Sequence, residues 1–179
     1  MCSTDGMVAS SRFAADGSGT WGVVMRTIGP YKISIHSGSD KFSAYPVIGR
    51  ETQLRLHLKT AGTSWLESLR SISRTEPGLY RLIHQRAFDY FPEALKSYHI
   101  TADLSGIAPL ESCPDADLPL YLQDNNCRQL LHISYGGLLQ DSEIREPYYR
   151  ALHEHAEDHN ACIESHMDKH LDTLGVDRR

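Results

Sequence analysis

The sequence predicts an α/β protein of alternating βα units that close toward a barrel and end in a long helix. Three observations predict it. Short strand-like segments alternate with longer segments of helical period from residue 31 onward. Each strand-like segment splits into an apolar and a polar set, and each polar set holds one histidine. A final stretch, roughly 142–172, keeps a helical period before Gly175.

Taken in order, residues 1–28 open with "MCSTDGMVASSRFAADGSGTW", small, polar and glycine-rich, and read as a poorly ordered leader. An irregular first strand around "GVVMRTI" is the alternative. Residues 29–175 read as one domain and 176–179 as a tail. "YKISIH" (31–36) and "LRLHLKT" (54–60) are strands. "TSWLESLRSIS" (63–73) is a helix: Trp65, Leu66, Leu69 and Ile72 share a face, and Ser64 with Glu67 has capping-box spacing. A second helix follows Pro77, with Leu79, Leu82, Ile83, Ala87 and Phe91 at helical spacing and Thr75 as N-cap. "YHITAD" (98–103) and "LLHISYGG" (130–137) read as a third and a fourth strand.

Side chains alternate faces along a strand. His36, His57, His99 and His132 therefore fall on polar sets, opposite Ile33 and Ile35, Leu54–Leu58, and Leu131 and Ile133. A parallel sheet is normally buried on both faces, so a polar second face points to the lumen of a closed βα barrel. Barrel sites lie at the C-terminal mouth, where these histidines would sit. One such histidine is more often a hydrogen-bonded structural residue; four at equivalent strand ends point to a site. After His36, the Ser37-Gly38-Ser39 turn offers backbone N–H groups to an anion. Asp40 would cap the next segment or orient a ligand, and Lys41 would pair with a carboxylate or phosphate.

Composition bounds the partners. The chain has 179 residues, 40% apolar and 23% charged, which suits one soluble domain. A formal net charge of −5 and the lack of a basic stripe argue against nucleic acid. No apolar run nears the ~20 residues of a membrane span, and no signal peptide is visible. Cys2, Cys113, Cys127 and Cys162 are scattered, as reduced thiols in a cytoplasmic protein would be. Cys113 has no fixed relation to a histidine, and no GxSxG, P-loop or dinucleotide motif occurs. In the last helix, His155/His159 and His166/His170 have i,i+4 spacing. "HEHAEDH" is not HExxH, however, and His159 falls on the stripe Tyr148, Leu152, Ile163, Met167, Leu171, so partial burial is the simpler reading.

"GPYKISIHSGSDKFSAYP", "HLKTAGTSWLESLR", "SYHITADLS", "LLHISYGGLL" and "EHAEDHNACIESHMDKHLDTLG" resemble, in order, the second half of the tagaturonate epimerase family. The resemblance runs from about Gly29 to Gly175. It implies the second half of a TIM-like (βα)8 barrel and the interconversion of D-tagaturonate and D-fructuronate in hexuronate catabolism. It also implies a divalent metal cation as cofactor, with His36, His57 and His99 as its ligands. Lys41, Lys59 and Asp103 become the catalytic candidates, and Ser37, Ser39, Asp40 and His132 the substrate-binding ones. The sugar-acid substrate is the implied partner. Because family members are far longer, the resemblance further implies a truncated member with little activity alone. Such a chain would self-associate or need a complementary N-terminal half; the alternative is a non-catalytic remnant acting only by association.

Overall fold

The computed structural model describes residues 32–36, 41–98, 100 and 102–176, the side chains of His36, Ala61 and Thr63 apart. The expected leader over 1–28 lies outside the described residues, as does the tail beyond Val176. The chain divides into two compact units, Met1–Thr60 with His166–Arg179, and Ala61–Ser165. Among the described residues no helix is long and apolar enough to cross a membrane.

The first unit contains a small α/β element. Strand β1 (Ile33–His36), helix α1 (Tyr45–Thr52) and strand β2 (Leu56–Lys59) follow one another, and the strands pair in parallel. Ile33, Ile35, Leu56 and Leu58 are half-buried while Ser34, His57 and Lys59 are exposed, the alternation expected from the sequence. Helix α1, on which the sequence reading placed no element, has Pro46 in its first turn. It closes through Gln53 and Leu54, both left-handed at φ 51° and 62°. That closure shortens the expected strand 54–60, because a residue with positive φ cannot extend a ladder. Against α1 lies the C-terminal part of helix α6 (Ala156–Leu174). A Cβ on Gly49 would stand 2.0 Å from the Leu174 carbonyl oxygen, so only glycine permits this approach.

The second unit is helical: α2 (Ala61–Thr75), α3 (Pro77–Ala94), α4 (Asn125–Leu138), α5 (Ser142–Glu154) and the first part of α6. Short 3-10 turns at Leu104–Gly106 and Asp115–Leu122 bridge α3 to α4. Leu66, Leu69, Ile72, Ile83, Leu118, Leu130 and Ile144 are fully or nearly fully buried in one core. Burying each such side chain stabilises by about 1.5–3 kcal/mol. Polar groups fix the register of the helices. Trp65 Nε1 donates to the Leu131 carbonyl at 3.0 Å, and the Tyr148 hydroxyl meets Ser68 Oγ at 2.7 Å. Arg81 holds the loop before Asp115 by donating to the Cys113 carbonyl and the Asp115 carboxylate, at 2.6 and 2.7 Å.

Four sequence expectations change here. Residues 130–137 form no strand; they belong to α4, whose N-cap Asp124 accepts from the Cys127 amide at 2.8 Å. Cys127, Leu130, Leu131, Ser134 and Leu138 are buried at helical spacing, which a four-residue alternation cannot outweigh. The described part of 98–103 is not a strand either: Ile100 and Ala102 pack on the core without a ladder, and Asp103 caps a 3-10 turn. The long final helix breaks at His155, giving α5 and α6. His153 in the last turn of α5 and Glu157 and Asp158 in the first turn of α6 complement two separate helix dipoles. The α2–α3 joint shifts by one residue, Glu76 standing at the N-cap where Thr75 was expected. The architecture is α/β with a small parallel sheet and a predominance of helix.

Candidate functional site

At the C-terminal end of the sheet, β1 finishes on His36 and β2 on Lys59, and these two are partners in register. One step earlier Ser34 faces His57, with Ser34 Oγ 3.1 Å from His57 Nδ1. The hydroxyl fixes the orientation of the ring. With the proton on Nδ1 donated to Ser34, Nε2 presents its lone pair, which is the tautomer a metal ligand requires. His57 can serve as a ligand in that tautomer, one of the two that the Ser34 contact allows. Of the two other expected ligands, His36 is described only by its backbone and His99 lies outside the described residues. Ser37, Ser39 and Asp40 lie outside them as well.

Lys59 is exposed at the end of β2, and Lys41 is half-buried where the chain turns into α1. The Lys41 carbonyl accepts the amides of Ala44 and Tyr45 at 2.8 and 3.2 Å. The next residue, Phe42, is held among rings: Tyr45, His166 and His170 have centroids 5.5, 6.0 and 4.8 Å away. The Lys169 ammonium lies 4.2 Å from the Phe42 ring centre. His170 is buried and its Nδ1 donates to the His166 carbonyl at 2.8 Å. This i,i+4 histidine pair therefore packs as part of an aromatic wall, anchoring the chain directly after Lys41.

Asp103 and His132 belong to the second unit. Asp103 accepts from the Ser105 hydroxyl at 2.7 Å and from the Ser105 amide at 3.0 Å. These bonds, the hydroxyl's first, hold its pKa below the ordinary carboxylate range. It is exposed and ionised at neutral pH, suited to accept a proton rather than deliver one. His132 projects from α4 onto the first turn of α2. A Cβ on Gly62 would come 2.1 Å from its Cε1, so the ring occupies the space that glycine leaves open. Two described cysteines are poor nucleophiles: burial pushes the Cys127 thiol up to about 12 and raises that of Cys162.

Sequence reasoning missed Ser34 as the group that orients His57. The signal was available, since both residues stood on polar sets, but the register that brings them together is a property of the paired strands. Gly62 was also missed; nothing in "KTAGTSW" indicates that a ring from residue 132 rests on it.

The model of the tagaturonate epimerase family matches residues 20–174. A curated tagaturonate/fructuronate epimerase from Thermotoga maritima is 43% identical over 151 residues, covering 84% of this chain and 31% of the relative. The native crystal structure of fructuronate-tagaturonate epimerase from Cohnella laeviribosi superposes with a TM-score of 0.83 at 47% identity, over 88% of this chain and 33% of that one. Its complex with two glycerols gives 0.85 over 89% and 34%. The chain spans about a third of the length of these relatives. By a match that runs through nearly all of its described residues, the chain belongs to the tagaturonate epimerase family.

Proposed function

We propose that this chain is the metal- and sugar-acid-binding part of a tagaturonate/fructuronate epimerase, an isomerase of hexuronate catabolism, and that it turns over little substrate alone. The observation that carries the proposal is the continuous match over residues 20–174 to proteins so named, combined with a span of about a third of their length. The same span supports partnership with a chain that supplies the remaining two-thirds. A two-stranded sheet is marginal by itself, and the parallel β1–α1–β2 element is what one sector of a (βα)8 barrel would contribute.

The chemistry sets what the residues must do. The two uronates differ at a carbinol carbon β to the ketone, which simple enolisation cannot invert. Retro-aldol cleavage can: the carbinol oxygen loses its proton, its electron pair forms a carbonyl, and the C–C bond pair moves onto the ketone side as an enediolate. Re-addition to the opposite carbonyl face restores the bond with inverted configuration. A divalent cation, when bound, supplies Lewis-acid polarisation of the ketone oxygen, and His57, with His36 and His99, would hold it. Ionised Asp103 accepts the carbinol proton and returns it after re-addition. Lys41 and Lys59 offset the charge of the substrate carboxylate and of the enediolate. Ser37, Ser39, Asp40 and His132 bind the remaining hydroxyls.

The test pairs this chain with the remaining two-thirds taken from a family relative and follows D-tagaturonate by NMR. His57→Ala is expected to lower turnover by ~100-fold and to remove the metal held at the sheet end. Unchanged turnover and metal content in that variant would refute the assignment of His57.

A further inference from the structure

We propose that Glu76, Glu154 and His155 form a second divalent-cation site, separate from the sheet-end residues and taking a first-row metal such as zinc. One ligand atom from each lies within 4.8 Å of the others. The three come from rigid positions. Glu76 is the single residue between α2 and α3, His155 is the single residue between α5 and α6, and Glu154 ends α5. All three belong to the second unit.

The distance between the imidazole and the first carboxylate is compatible with a shared ion. His155 Nε2 stands 3.5 Å from Glu76 Oε1. At that distance the pair makes a long hydrogen bond in the absence of an ion. Two donors bound tetrahedrally to one zinc at ~2.0–2.1 Å stand ~3.3 Å apart, close to the observed separation. The charge agrees: two carboxylates neutralise a dication, and one imidazole nitrogen with two carboxylate oxygens is a donor set zinc accepts. Side-chain cations do not fill this role. Arg74, two residues before Glu76, turns to Asp158 at 3.6 Å and to Cys162 Sγ at 3.4 Å. Among the described residues Glu154 has no lysine or arginine partner. Side-chain exposures of 35% for His155 and 45% for Glu76 leave an entry path for an ion and room for a completing water. A bound ion would staple the α2–α3 joint to the α5–α6 joint. The break of the final helix at His155 places this residue at the joint, with its ring 3.5 Å from Glu76.

The experiment uses the 179-residue chain, zinc chloride as the probe, a competing chromogenic chelator to read affinity, and a thermal melt. Wild type is expected to bind one zinc more per chain than Glu154→Gln or His155→Asn. Its Tm should rise by ~5 °C or more at zinc a hundredfold above Kd. Both variants should weaken that site at least ~10-fold, while His57→Ala retains it. Glu154 is exposed, so Glu154→Gln tests the site without disturbing the core, and an unchanged circular dichroism spectrum verifies this. Identical zinc stoichiometry, affinity and Tm shift in wild type and both variants would overturn the site. Loss of all zinc in His57→Ala alone would overturn it too, while leaving the sheet-end assignment intact.

Discussion

His84 is the clearest case of a single side chain whose burial has a measurable consequence. It is 4% exposed on α3, its ring is packed by Tyr80, Phe88 and Tyr121, and among the described residues its Nε2 has no hydrogen-bond partner. Burial lowers its pKa to about 4, and the Glu111 carboxylate offsets this only in part. In the unfolded chain the same group takes up a proton near its ordinary value of 6.5. Between those two values the unfolded state binds more protons, so stability falls as pH falls from 6.5 toward 4. The full effect is about 3 kcal/mol. Urea denaturation of wild type and His84→Phe at about pH 7 and about pH 4.5 measures it. The variant is expected to lose much less stability between the two than wild type; equal losses would contradict the burial argument. At this scale the sequence was partly readable. The alternation placed His57 and Lys59 on the face opposite Leu56 and Leu58, as the strand has them, because it needs only neighbours in sequence. That Ser34 orients His57 and that His132 rests on Gly62 depend on contacts between distant segments, which no local pattern encodes.

Among the elements, the helices of strong period were legible and the short apolar runs were not. Trp65, Leu66, Leu69 and Ile72 marked α2, and the spacing after Pro77 marked α3, because a face repeated over several turns has one interpretation. "LLHISYGG" has two: Leu131 and Ile133 alternate with polar residues, yet Leu130, Leu131, Ser134 and Leu138 also share a helical face. The deciding feature is Asp124, whose capping bond starts a helix before that run begins. Helix α1 was hidden for another reason. Its packing rests on glycine rather than on an apolar stripe, since Gly49 lies against the end of α6. Gly49→Ala would place a methyl against the Leu174 backbone carbonyl, which has no rotamer by which to move aside. We expect a loss of ~1–3 kcal/mol, read as a lowered urea midpoint. A midpoint within error of wild type would show that the two helices do not meet as described.

For the whole molecule, the α/β class followed from the sequence, but the balance between sheet and helix did not. Two of the four expected strands pair, and the segments of the other two are helix and 3-10 turn with irregular chain among the described residues. The error came from treating four histidines as equivalent: the argument for their convergence assumed that each sat on a strand. Family membership survives that correction, because it rests on ordered blocks along the chain rather than on the strand count. The central claim is that these residues form part of an epimerase and need the rest of the fold to act. The most direct measurement is the rate of D-tagaturonate to D-fructuronate conversion, with divalent metal, by the 179-residue chain alone and after addition of the remaining two-thirds from a relative. The chain alone is expected to work at a rate at least ~100-fold below that of the combined chains. Comparable turnover by the chain alone, or no turnover by the combination, would contradict it.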